Sequence, residues 1–191
     1  MAHQTLFQRF SDTIVEYVFL RFIPVSVTPN WVTAIRLALT PIVVLLLVRD
    51  FFIWATLVFC VAALTDLIDG AMARTRDQIT DLGKILDPVA DKLLIGSLMI
   101  PLVATVLHPL FALLIVILEL SILVGGYLHA RRGYILQANW WGKIKFNFQV
   151  IGILLLLINA ASPYPMLVQG ALMSFSAALG FGVLSLLTHG F

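Results

Sequence analysis

The chain is short of charge. Aspartate, glutamate, lysine and arginine together make up 12% of its 191 residues, while 61% are hydrophobic. An average soluble domain carries about twice that charged fraction, so a water-soluble globule is excluded. It has little cysteine: Cys60 stands alone, which rules out an internal disulfide and leaves an inert packing residue. The N-terminus lacks a compact apolar stretch after its early charges, so no signal peptide is read there. Also missing are the alternating apolar and polar positions of barrel strands, any internal repeat and any low-complexity tract. Barrels and helices are the two ways to span a bilayer, and the absence of alternation leaves helices. The expected fold is an all-α membrane protein.

What the chain has instead is long apolar runs. Six of them, at about 31–48, 52–73, 84–107, 109–130, 143–161 and 165–188, approach or exceed the ~20 residues that cross a bilayer. Pro41 and Pro101 fall inside two of these spans, where neighbouring helices can satisfy the freed backbone. Ahead of them, Leu6, Phe10, Ile14, Tyr17 and Val18 recur at helical spacing among Arg9, Asp12, Glu16 and Arg21. That pattern suits an N-terminal amphipathic helix in the membrane interface, or an amphipathic extension packed on the bundle. Thr28-Pro29-Asn30 breaks the chain and can cap the next helix. The expected division is an N-terminal interfacial segment, 1–27, and one six-span domain, 28–191. Of the 12 basic residues, all but Arg49 fall on or near one side of this six-span arrangement. The positive-inside rule places that side, with both termini, in the cytoplasm.

Four aspartates break the apolar pattern. Asp66-Leu67-Ile68-Asp69-Gly70-Ala71-Met72-Ala73-Arg74 is followed, after eight residues, by Gly83-Lys84-Ile85-Leu86-Asp87-Pro88-Val89-Ala90-Asp91. A carboxylate at membrane depth costs roughly 2.5–3.5 kcal/mol on insertion scales, so four in register require compensation. Asp66 and Asp69 are three apart, Asp87 and Asp91 four apart; either spacing stacks two side chains on one helix face. Gly70, Ala73 and Gly83 are small enough to let a helix or ligand approach closely. Oxygen-only ligands suit magnesium or manganese rather than zinc. A hard cation beside Arg74 is typical equipment for a pyrophosphate substrate, and a remaining carboxylate can take the proton of an attacking hydroxyl.

This motif, D-x2-D-G-x2-A-R-x8-G-x3-D-x3-D, resembles position for position the signature of the CDP-alcohol phosphotransferase family. The flanking Leu86-Asp87-Pro88-Val89-Ala90-Asp91-Lys92-Leu93-Leu94 is similar to the phosphatidylglycerophosphate synthase branch. So are Thr28-Pro29-Asn30-Trp31-Val32-Thr33 with Arg36, and Gly142-Lys143-Ile144-Lys145 followed by Gln149. The resemblance covers about residues 28–150. It implies a six-span, usually dimeric membrane enzyme in which a hydroxyl displaces CMP from a CDP-linked lipid. On the matching positions it implies that Asp66, Asp69 and Asp87 hold Mg2+ or Mn2+. Asp91 would be the general base and a further metal ligand. Gly70, Arg74 and Thr80 would touch the CDP part of the donor, and Ala73 and Gly83 would line the cytidine pocket. Thr28, Pro29, Asn30 and Trp31 would help hold CDP-diacylglycerol. No nucleic-acid partner is expected.

One departure bears on the acceptor. Phosphatidylglycerophosphate synthases usually carry an Arg-Glu pair in the fourth span and another arginine about two turns on; here Leu118 precedes Glu119, and the later stretch reads Val124-Gly125-Gly126. Arg131, Arg132, Lys143 and Lys145 are then the candidates to grip glycerol-3-phosphate. Phosphatidylglycerol (giving cardiolipin) and inositol phosphate are the alternative acceptors. Plainer readings stand beside these. The four aspartates could be structural partners of Arg74, Lys84 and Lys92, and Glu119 is either a buried hydrogen-bonding group or a substrate contact. A cation or proton transporter would also place acids in a membrane, but here they gather at one face with no matching set at the other.

Overall fold

A computed structural model describes residues 17, 24, 27–75, 81–131 and 140–188. Six α-helices run through them: α1 Pro29–Val48, α2 Phe52–Thr75, α3 Asp81–Leu102, α4 Pro109–Arg131, α5 Trp140–Ala161 and α6 Pro165–Thr188. No strand occurs among the described residues. Among the described residues six segments are long and apolar enough to cross a membrane, and the protein is an integral membrane protein. The expected interfacial segment, 1–27, lies, Tyr17, Pro24 and Val27 apart, outside the described residues.

The helix ends follow from local chemistry. Pro29 occupies the first turn of α1, where a missing N–H costs nothing and the fixed φ fits the helix. Thr28 is the N-cap but makes no side-chain cap bond, contrary to the capping expected of it. Its backbone carbonyl takes the Trp31 N–H instead, at 3.0 Å. α1 ends in a Schellman turn: Phe51 N–H bonds Leu46 O at 2.9 Å and Asp50 N–H bonds Leu47 O at 3.1 Å. Asp50 sits at φ 59°, in the left-handed region that aspartate tolerates better than bulkier residues. Pro41 lies within α1 without ending it.

The third span ends differently from a plain helix. After Pro101 the chain widens into a π-helical turn, Val103–Leu107, closed by His108 N–H to Val103 O at 3.0 Å. His108 is extended, at φ −167° and ψ 139°, as the residue before a proline tends to be. Its Nδ1 accepts the Leu110 N–H at 3.1 Å and so caps α4.

The chain divides into two compact units, one up to Leu94 and the other from Ile95 onward; α3 runs through the division. In the first unit α1 packs on α2. A small core of Val32, Ala71 and Met72, with Val27 and Ile68 against it, includes residues of the aspartate-bearing end of α2. In the second unit α5 and α6 make the main pair, and α4 packs on α6. Ala171, Ser174, Phe175, Ala178, Gly182 and Ser185 form the buried stripe of α6. Phe181 stacks between Trp141 and Phe148 of α5, with ring centroids 5.8 and 5.6 Å away. Large apolar side chains such as Trp54, Leu113, Met173 and Leu187 are exposed, as expected where lipid is the solvent.

Two glycines set the closeness of this packing. A Cβ on Gly152 would stand 2.8 Å from the Phe175 ring, and one on Gly182 would run into the Leu118 side chain. Gly152→Ala should therefore lower stability by about 1–3 kcal/mol through overpacking. Gly180, with nothing within 4 Å of the equivalent position, should be neutral or gain up to ~1 kcal/mol as alanine. Thermal unfolding of both variants in detergent checks this; equal effects would contradict the packing described.

Candidate active site

The first unit brings the four aspartates together from two helices. α2 carries Asp66 and Asp69, and α3 carries Asp87 and Asp91. The group that joins them comes from α1. Arg36 is fully buried, and its guanidinium forms ion pairs with three of the four. Nη1 reaches Asp66 Oδ1 at 3.1 Å and also pairs with Asp91 Oδ1; Nη2 pairs with Asp69 Oδ2. Nε points to Thr65 Oγ1 at 3.4 Å, and that hydroxyl donates to Ala62 O at 2.6 Å. The planar fork of an arginine is suited to this, since it offers five donors in fixed directions and stays charged when buried.

Asp87 is tied in through Thr33, one turn before Arg36 on the same face of α1. The Thr33 hydroxyl lies 2.7 Å from Asp87 Oδ1, 3.1 Å from Asp69 Oδ2 and 3.3 Å from Pro29 O. A hydroxyl has one proton to give, so it donates to one of these at a time, the shortest contact being to Asp87. Thr33 itself is fully buried and Asp69 is 3% exposed. The Asp66 and Asp91 side chains are 29% and 25% exposed, which leaves both within reach of a substrate.

Among the described contacts the four carboxylates have one guanidinium between them. Two carboxylates about 4 Å apart repel by roughly 4 kcal/mol at an effective dielectric near 20. One guanidinium cannot offset four of them. Among the described residues no three Asp, Glu, His or Cys side chains converge as ready metal ligands; the aspartates meet through Arg36 and Thr33 instead. Their donor atoms are nevertheless all carboxylate oxygens, the set a hard divalent cation takes. That chemistry fits such an ion.

The other expected residues are placed as follows. Gly83 is buried, while Gly70 and Ala73 are half-buried. Pro29 is buried, Thr28 and Asn30 are half-buried, and Trp31 is 66% exposed. The Arg74 side chain and Thr80 lie outside what is described, as does Arg132. Arg131 closes α4 and is exposed, and Lys143 is exposed on α5.

Lys145 is different. It is buried in the second unit, with Nζ 2.6 Å from Glu119 Oε1. Gln149 Nε2 donates to the same oxygen at 2.7 Å and lies 3.9 Å from Met99 Sδ. A carboxylate in mid-span thus has an ammonium and an amide as partners.

Sequence reasoning assigned no role to Thr33 or Arg36, although both lie in the stretch that carried the resemblance. The available signal was a lone arginine inside an apolar span, which is costly and usually functional, with a hydroxyl one turn before it.

Comparison with known proteins bears on this site directly. Residues 26–182 match the family model for CDP-alcohol phosphatidyltransferase. The CDP-diacylglycerol–glycerol-3-phosphate 3-phosphatidyltransferase of Bacillus subtilis (strain 168) is 33% identical over 147 residues, which is 69% of this chain and 76% of that protein. A probable phosphatidylglycerophosphate synthase of Mycobacterium tuberculosis (strain ATCC 25618 / H37Rv) is 34% identical, covering 70% of this chain and 67% of its own. The cardiolipin synthase (CMP-forming) of Streptomyces coelicolor is 35% identical, over 70% and 66%. The matched span contains all four aspartates together with Thr33 and Arg36, and on that ground the chain belongs to the CDP-alcohol phosphatidyltransferase family and is an enzyme of that kind.

Proposed function

We propose that the protein transfers a phosphatidyl group from CDP-diacylglycerol to the hydroxyl of glycerol-3-phosphate, giving phosphatidylglycerophosphate and CMP. The observation that carries this reading is the gathering of Asp66, Asp69, Asp87 and Asp91 around Arg36 and Thr33. The relative named for glycerol-3-phosphate transfer and the one named a probable phosphatidylglycerophosphate synthase favour that acceptor. The relative named as a cardiolipin synthase supports phosphatidylglycerol as a second reading.

In this reading Asp66, Asp69, Asp87 and Asp91 hold Mg2+ or Mn2+. When bound, the ion offsets charge on the pyrophosphate oxygens. Asp91 takes the proton of the acceptor hydroxyl. The hydroxyl oxygen bonds to the phosphorus that bears the diacylglycerol, and the bridging P–O bond to the cytidylate breaks, so CMP leaves with the bridging oxygen. Gly70, Arg74, Thr80, Ala73 and Gly83, with the Thr28–Trp31 segment, hold the donor. Arg131, Arg132, Lys143 and Lys145 meet the acceptor phosphate. The bias of basic residues puts the reaction on the cytoplasmic side of a bacterial membrane, with the enzyme working as a homodimer.

Asp66→Asn, Asp69→Asn or Asp87→Asn should each bring CMP release to background at saturating magnesium, in protein that still inserts and folds. Substantial turnover in any of them contradicts its assignment as a metal ligand. Asp91→Asn should lose turnover yet still bind CDP-diacylglycerol; a donor affinity that collapses with the rate would make Asp91 chiefly a ligand rather than the base.

The acceptor reading has its own test. A charge-assisted bond to phosphate is worth roughly 1.5–3 kcal/mol. Neutralising Arg131, Arg132, Lys143 or Lys145 should then raise the acceptor's KM about tenfold and leave the donor's KM nearly unchanged. Removing Lys145 alone strands Glu119, so Lys145→Met is paired with Glu119→Gln to separate binding from folding. No effect on glycerol-3-phosphate use, singly or in pairs, would move the assignment to phosphatidylglycerol.

A further inference from the structure

We infer that Arg36 is an internal counter-cation that competes with the divalent ion for the aspartates, and so sets how tightly that ion is held. This rests on the metal reading above. The geometry points to it in three ways. Arg36 is fully buried, so its charge has no solvent to share and depends on carboxylates for compensation. Its two Nη atoms engage one oxygen from each of Asp66, Asp69 and Asp91, three of the four residues expected to bind metal. On Asp69 it is Oδ2 that Arg36 engages, with the Thr33 hydroxyl 3.1 Å from the same atom, which leaves Oδ1 as that side chain's other donor. A guanidinium and a divalent ion drawing on the same three carboxylates also repel one another, so strengthening one hold weakens the other.

A purely structural ion pair predicts something else: loss of Arg36 would weaken the fold equally with and without metal. Competition predicts opposite signs in two measurements. Without metal, Arg36→Gln should unfold at a lower temperature than the wild type, because Asp66, Asp69 and Asp91 lose their built-in partner. Its affinity for the ion should nevertheless rise about tenfold, a change of roughly 1.4 kcal/mol, and saturating metal should close most of the stability gap.

The experiment uses the full chain in detergent micelles with Mn2+ as the probe. Free Mn2+ is followed by electron paramagnetic resonance, and unfolding is followed in parallel. Arg36→Lys keeps one buried charge but loses the fork, and should fall between wild type and Arg36→Gln. It serves as the test if the Gln variant does not fold. Unchanged or weaker Mn2+ binding in these variants overturns the inference, as does a stability deficit that metal leaves untouched. Failure of the underlying reading looks different: the wild type and Asp87→Asn would then bind Mn2+ equally poorly.

Discussion

A buried guanidinium shared among three carboxylates is the contact on which the first unit depends. Without Arg36, α2 and α3 would present Asp66, Asp69 and Asp91 to one another with no cation among their described partners. With it, three helices acquire a common point of attachment, and Thr33 extends that point to Asp87. The small residues beside the aspartates follow from the same requirement. Ala71 and Ala90 are fully buried, so backbone approaches closely where bulk would hold the acids and the arginine apart.

The second unit solves a related problem by other means. Glu119, placed mid-span, is met by Lys145 and Gln149 from α5, one turn apart on a single face. The stem of Lys145 needs room, and Gly182 of α6 provides it: the lysine Cδ lies 3.3 Å from where a Cβ would be. In both units the polar group is carried by one helix and neutralised by another, which is the cheapest way to keep charge inside apolar helices. The difference lies in balance. The Glu119 cluster pairs one acid with one base, whereas among the described contacts three aspartates share one guanidinium.

Much of the fold was legible before any coordinates. Spans five and six of the sequence reading correspond to α5 and α6, and the first two end within a few residues of α1 and α2, because unbroken apolar runs admit few alternatives. The π-helical turn at Val103–Leu107 was not legible: Pro101 signals a disturbance but not its form. Nor was the His108 cap, which depends on a ring nitrogen facing the next turn. At the site, spacing alone placed Asp66 with Asp69 and Asp87 with Asp91. It could not say which cation would stand among them. Arg36 lies some thirty residues before Asp66 in sequence, and its place among the acids follows from the packing of α1 on α2, a tertiary fact. The same holds for Lys145, whose burial against Glu119 depends on a residue 26 positions away.

The tight turn at Arg49–Phe51 ties these observations to how the chain enters a membrane. Because α1 and α2 are joined by so few residues and lie against each other, Thr33 and Arg36 near the start of one meet Asp66 and Asp69 near the end of the other. The first two spans therefore form a hairpin carrying opposite charges at the same level. An arginine or an aspartate crossing alone meets a penalty of roughly 2.5–3.5 kcal/mol each on insertion scales; crossing as a pair, each arrives with its neutraliser. The acids of α2 thus enter beside a neutraliser carried by the helix synthesised just before them, so the order of elements along the chain is itself part of how this buried charge is delivered into lipid.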